Sequence, residues 1–124
     1  MREALVYVGS AVVFLWGVGH IIPTRSIVES FGDISTESRR ILTMDWVAEG
    51  VTLCFLGVLA ALVALADGLS FPVGRMVLRA VAAMLFVLAA LTAATGARTS
   101  VGPIKACPIV KSVVAALFVA AAGM

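Results

Sequence analysis

The chain has 124 residues, of which 62% are hydrophobic and 13% are charged, and its mean hydropathy is +1.14. A soluble domain is about 45–50% apolar and about 25% charged, so this composition excludes a soluble globular protein and indicates a polytopic membrane protein. The net charge of +2 is too small and too dispersed to predict nucleic-acid binding. Two cysteines without a CxxC pair predict neither a disulfide framework nor a zinc ribbon.

Four apolar stretches predict four transmembrane helices in one domain, an all-α four-helix bundle, because a helix of about 20 residues crosses the hydrocarbon core. The predicted spans are residues 4–22, 46–66, 76–95 and 108–123. Pro23 ends the first span, and Pro108 suits the first position of the last. The first stretch is interpreted as a true span, since it is long for a signal peptide and Glu3 balances Arg2.

A polar segment precedes the second span, after a predicted connector over residues 23–34. Ser35 and Thr36 are both good N-caps. From there nothing interrupts a helical pattern until Asp67. The sequence therefore predicts either one helix of about 30 residues or a short interfacial helix that bends into the span near Thr43.

Polar side chains accumulate at one membrane face, here called the charged face, where spans one and three end and spans two and four begin. The opposite face, here called the terminal side, has both chain termini. The charged face collects His20, Asp45, Glu49, Arg98, Lys105, Cys107 and Lys111. Six of the nine basic residues lie on this side of the membrane. The positive-inside rule therefore predicts that this face is cytoplasmic and that both termini are outside. The expected location is the bacterial inner membrane.

Two carboxylates flank the predicted entrance of the second span. Asp45 and Glu49 share one helix face, and Trp46 between them is typical of the membrane interface. Glu49 lies about 4.5 Å deeper than Trp46, a costly position for a carboxylate unless it faces protein or water. The expected partners of these carboxylates are Arg39, Arg40 or Lys111.

His20 is the only histidine of the chain and follows Trp16 by one helical turn. It is either a structural residue, hydrogen-bonded to Glu49 or to a backbone carbonyl, or a proton carrier or metal ligand. A metal site with Asp45 and Glu49 would draw three ligands from only two helices, whereas such sites need a fixed, complete set. The sequence therefore predicts neither a metal nor a cofactor.

Cys107 is predicted at the N-terminus of the last helix, between Lys105 and Lys111. Helix N-termini and nearby cations activate thiols and bind anionic groups. Three interpretations stay open: a small capping residue whose lysines contact lipid phosphates, a site for an anionic ligand, or a reactive thiol. Cys54 lies about 12 Å into the bilayer and is predicted to be a packing residue.

Small residues recur at spacings of three or four, as in Gly50, Cys54 and Gly57 or in Ala116 and Ala120. Such faces favour close helix packing in lipid. Because one bundle has no room for all of them inside, the sequence predicts a homo-oligomer.

These patterns favour a non-enzymatic binding protein or membrane-complex subunit, whose partner is a membrane lipid or another amphipathic small molecule held at the charged face. The predicted head-group site is Arg98, Lys105 and Lys111, and the predicted entrance is Trp16, His20 and Glu49. One alternative is a membrane-embedded enzyme for a lipophilic substrate, using His20 and Glu49 as acid and base and Cys107 as nucleophile. Another is an oligomeric proton- or ion-coupled transporter built around Glu49.

Overall fold

The computed structural model describes residues 1–123, which form five α-helices and two short 3₁₀ turns and contain no strand. The helices are α1 (Arg2–Ile21), α2 (Thr24–Glu29), α3 (Thr36–Leu65), α4 (Pro72–Ala94) and α5 (Gly102–Gly123). Of these, α1, α3, α4 and α5 are long and apolar enough to cross a membrane. The predicted all-α bundle of four transmembrane helices is confirmed.

The second span is one continuous helix of 30 residues, with no bend into a separate interfacial segment. It begins at a polar cap, where the Ser35 hydroxyl accepts a hydrogen bond of 3.1 Å from the backbone N–H of Ser38. The connector before it has the short helix α2, which the sequence did not predict. The Thr24 hydroxyl, at the first residue of α2, donates to the backbone carbonyl of Ile21 at 2.7 Å and so satisfies a carbonyl at the end of α1.

The last helix begins at Gly102, with Pro103 in its first turn, and Pro108 lies inside it. The prediction that Pro108 starts this helix is therefore wrong. Pro103 meets the same preference for a first-turn proline, and a transmembrane helix tolerates a second proline where neighbouring helices cover it. As a result Cys107 lies in the second turn, fully buried, rather than at the helix N-terminus.

Helix α1 packs between α3 and α5, and α4 packs on the far side of α5. Two glycines bring α1 and α3 together. A Cβ atom on Gly17 would lie 2.6 Å from the carbonyl oxygen of Gly50, and one on Gly50 would lie 2.9 Å from that of Gly17. This close approach sets His20 of α1 beside Glu49 of α3.

The apolar core lies toward the terminal side, where all four spans contribute fully buried side chains such as Val6, Ala60, Leu78 and Phe118. Toward the charged face the bundle is less closed. There a groove separates α3 from α4, between Glu49 on one wall and Thr92 on the other. The fold therefore leaves the charged end of the bundle open along one side.

Candidate functional site

Three helices bring His20, Glu49 and Cys107 together near the charged face. The Sγ atom of Cys107 lies 3.6 Å from His20 Nε2 and 3.9 Å from Glu49 Oε1. His20 Nε2 and Glu49 Oε1 are 4.0 Å apart. The sequence placed these residues at one face, and the structure places them in contact.

Hydrogen bonds set the orientation of the His20 ring. Its Nδ1 lies 3.0 Å from the backbone carbonyl of Trp16. Because a carbonyl only accepts, Nδ1 has the proton in the neutral ring, and the lone pair on Nε2 faces Cys107. The indole of Trp46 stacks on the imidazole with centroids 5.2 Å apart and donates to the His20 carbonyl at 2.6 Å.

The Cys107 sulfur has a donor of its own. The Nε1–H of Trp16 points at Sγ from 3.3 Å. The cysteine is fully buried, and this indole, the imidazole and the carboxylate are its hydrogen-bond partners. Both cysteines are free, and Cys54 is a partly buried residue in the contact between α3 and α1, 3.5 Å from the carbonyl of Phe14.

Lys111 has no exposed surface, and its Nζ donates to Glu49 and, at 2.8 Å, to the hydroxyl of Thr92. A buried ammonium is stable only with such partners. The expected pairing of a carboxylate with a basic residue is thus realised by Glu49 and Lys111. The prediction that Lys111 lies at the mouth of a head-group site is wrong. Helix α5 begins before the predicted start at Pro108, and the Lys111 side chain points into the interior of the bundle.

Two cavities flank this polar cluster. One has a volume of about 220 Å³ and is lined by Trp16, His20, Trp46 and Pro103, among others; it is called the aromatic cavity below. The other is the groove between α3 and α4, with a volume of about 480 Å³. Trp46 and Ile104 line both, so these two side chains form the partition between them.

The polar atoms of the groove are mostly acceptors. The hydroxyls of Thr52 and Thr95 donate to backbone carbonyls of their own helices, and Thr92 is bonded to Leu88 and Lys111. The carboxylates of Asp45 and Glu49 remain available at its wall.

Among the described residues, no cationic side chain lines the groove or the aromatic cavity. Arg98 and Lys105 are exposed at the charged face, outside both. Asp45 is exposed as well and takes no part in the contact with His20. Arg98, Lys105 and Lys111 therefore do not form the predicted head-group site at the entrance of either cavity.

The connector has an exposed ion pair of its own. The guanidinium of Arg25 donates to Glu29, one turn along α2, at 2.8 Å, and this hydrogen bond raises the pKa of Arg25. Both side chains face solvent. This pair is a local support for α2 and lies apart from the buried cluster.

Sequence reasoning did not identify Thr92 as a member of the site, or Trp46 as a donor to His20. The only signal for Thr92 was that it is one of two hydroxyl residues, with Thr95, in the apolar span 76–95. Whether Thr92 reaches the site depends on which side of α4 faces α5, and the sequence spacing does not define that side.

Fold and composition together define a small integral membrane protein with four transmembrane helices. Comparison with models of protein families, with curated proteins and with solved structures finds no match for the chain. The geometry of the site is therefore the basis for assigning a function.

Proposed function

We propose that this protein binds an amphipathic small molecule or membrane lipid in the groove between α3 and α4, with the polar end of the ligand at the charged face. The observation that supports this proposal is the groove itself, which has apolar walls and ends at Glu49 and Thr92, the two partners of the buried Lys111. Ligand sites typically combine such apolar lining with a few polar groups that orient the ligand.

The acceptors in the groove favour a particular head group. Asp45 and Glu49 offer carboxylate oxygens, while Lys111 is already bonded to Glu49 and Thr92. A ligand that donates hydrogen bonds, such as an amphipathic amine, complements this wall. A carboxylate or phosphate head would be repelled by the negative charge of Asp45. The proposed head group is therefore a hydrogen-bond donor or a cation, and not the anion that the sequence suggests.

A pair of matched probes tests the preference for a donor head. We expect the purified protein in detergent to bind decylamine about tenfold more tightly than decanoate. A tenfold ratio corresponds to about 1.4 kcal/mol, close to the contribution of one hydrogen bond to a charged group. Isothermal titration calorimetry measures both affinities. Preferential binding of decanoate would contradict the proposed preference for a donor or cationic head group. It would indicate that Arg98 and Lys105 bind an anionic head group instead.

The location of the ligand is tested by filling the groove. Ala48 is an exposed residue of the groove wall, and we expect Ala48→Trp to abolish decylamine binding. Ala83 is exposed on α4 outside the groove, so Ala83→Trp is the matched control and should bind like the unmodified protein. Equal binding by both variants would place the ligand elsewhere.

Oligomeric state and membrane orientation are proposals as well. Ala90, Ala94, Ala116 and Ala120 are exposed small residues of α4 and α5, which supports association of several copies through these helices. Native mass spectrometry of the gently solubilised protein measures the number of subunits and the mass of any ligand it retains. The excess of basic residues supports a cytoplasmic charged face, with both termini outside.

The enzyme alternative is favoured by one distance, 3.6 Å between Cys107 Sγ and His20 Nε2. A thiol nucleophile and an oriented imidazole at hydrogen-bonding distance are the usual elements of such a site. The burial of Cys107 argues against the enzyme alternative, because a substrate cannot reach its thiol. Cys107 has no exposed surface and lines neither the groove nor the aromatic cavity. Binding is therefore the function that the geometry supports best.

A further inference from the structure

We propose that His20, Glu49 and Cys107 bind one thiophilic metal ion, and that the charge of the surrounding cluster selects copper(I) over zinc(II). Each residue offers one ligand atom, and these atoms lie within 4.8 Å of one another. Imidazole and thiolate are established ligands of both copper and zinc, and carboxylate is an established ligand of zinc(II). This inference goes beyond the binding of a lipophilic ligand and does not depend on it.

The spacing of the three atoms suits a single ion. Bonds of about 2.0–2.3 Å at trigonal or tetrahedral angles place neighbouring ligand atoms about 3.3–3.8 Å apart. The distances between Sγ, Nε2 and Oε1 are 3.6, 3.9 and 4.0 Å. A contraction of a few tenths of an ångström by the carboxylate side chain, which is partly exposed and has rotatable bonds, completes the site.

The groups behind the ligands match those of a metal site. Metal-ligating histidines almost always use their second ring nitrogen to hydrogen-bond a carbonyl or carboxylate, which fixes the tautomer. His20 does so through Nδ1 to the carbonyl of Trp16, leaving the Nε2 lone pair toward Cys107. The Trp16 indole donates to Sγ, and Lys111 donates to Glu49. Trp16 therefore holds two of the three ligands, and Lys111 holds the third.

Charge favours a monovalent ion. With Cys107 as thiolate, the cluster has two negative charges, from Cys107 and Glu49, and one positive charge, from the fully buried Lys111. A copper(I) ion makes this set neutral, whereas a zinc(II) ion leaves one positive charge inside the bundle. Burying an uncompensated charge is costly. The thiolate favours a soft ion such as copper(I) and the carboxylate favours zinc(II), so the selection of copper(I) rests on charge.

Burial explains why this chemistry suits Cys107 better than reaction with a substrate. A metal ion needs only a narrow path to its ligands, and the side chains of His20 and Glu49 are 9% and 27% exposed. Both line cavities, His20 the aromatic cavity and Glu49 the groove. An ion can therefore reach the cluster from either side without exposing the sulfur.

The test is titration of the reduced protein in detergent with copper(I), in competition with a colorimetric copper(I) chelator, and in parallel with zinc(II). We expect one copper(I) ion per chain, with X-ray absorption showing one sulfur ligand and nitrogen or oxygen ligands. Cys107→Ser and His20→Gln should each lower the copper(I) affinity at least about a hundredfold, and Trp16→Phe about tenfold. Cys54→Ser is the matched control and should leave the affinity unchanged.

The outcomes are distinct. Binding of neither ion, or copper(I) binding that survives Cys107→Ser, overturns the site. Zinc(II) binding lost with the same two ligand variants supports the site and overturns the selection of copper(I) by charge. Thermal unfolding of each variant without metal separates lost ligands from lost fold, and the absorption spectrum of the unmodified protein tests sulfur coordination without any variant.

Discussion

The two ends of the bundle satisfy their polar groups in different ways. On the terminal side, arginines donate to backbone carbonyls at the end of α5, Arg2 to Ala121 at 3.3 Å and Arg79 to Ala122 at 3.2 Å. Toward the charged face, a fully buried lysine bonds to the side chains of Glu49 and Thr92. Cations therefore cap a helix at one end and form an internal cluster at the other.

This difference indicates where the molecule is specialised. Capping of carbonyls at a helix C-terminus is a general structural device that requires only a long basic side chain nearby. A buried ion pair adds little net stability compared with apolar packing, so its presence favours a role other than folding. The charged end also has the groove and the aromatic cavity, while the terminal side has the apolar core.

The largest effect is expected at the ion pair. Glu49→Ala leaves the fully buried ammonium of Lys111 without its carboxylate, which should lower the free energy of unfolding by about 3–5 kcal/mol. Unfolding by a denaturing detergent, followed by circular dichroism, measures it. Combining this change with Lys111→Met removes the unpaired charge and should restore most of the loss. If the double variant is no more stable than the single one, the pair is not coupled as described.

The next effect tests how the charged end is assembled. Gly50→Ala places a Cβ atom 2.7 Å from the Ile21 side chain and 2.9 Å from the Gly17 carbonyl oxygen, so α1 and α3 must move apart. We expect a loss of about 1–3 kcal/mol and weaker copper(I) binding. Gly19→Ala is the control, because its Cβ meets nothing within 4 Å. Equal stability of both variants would mean that close packing at Gly50 is dispensable.

The smallest effect is expected on the terminal side. Arg79→Gln removes one donor to the α5 carbonyls at an exposed site, which should cost about 0.5–1 kcal/mol. Decylamine and copper(I) binding should stay unchanged, since the charged end is untouched. Arg40→Gln, at an exposed position on α3, serves as the comparison. A loss of ligand binding in Arg79→Gln would show that the two ends are coupled.

Much of the fold could be predicted from the sequence. Apolar length predicts the four spans, and the breaks at Pro23 and near Asp67 lie where the structure ends α1 and α3. The start of α5 was not accessible, because Pro103 and Pro108 both fit the first turn of a helix and local preference does not distinguish them. Because the helix begins at Gly102, Cys107 and Lys111 are buried in the bundle, whereas the sequence predicted them near an exposed helix end.

The candidate site could be predicted from the sequence only in part. His20, Glu49 and Cys107 were placed at one face because antiparallel spans bring those helix ends together, an inference from topology alone. Their contact, and the exclusion of Asp45, Arg98 and Lys105 from it, depend on the rotation of each helix about its axis. A nearly uniform apolar surface specifies that rotation weakly.

By itself, the sequence determined that this chain is a four-span membrane protein with its polar residues gathered at one face, because hydropathy and span number depend only on composition along the chain. Tertiary structure decided which polar residues meet, because the glycine contact between α1 and α3 and the early start of α5 orient the side chains. Lys111 shows the difference most clearly. A basic residue near a membrane face is expected at the lipid surface, but packing has made it the buried partner of Glu49.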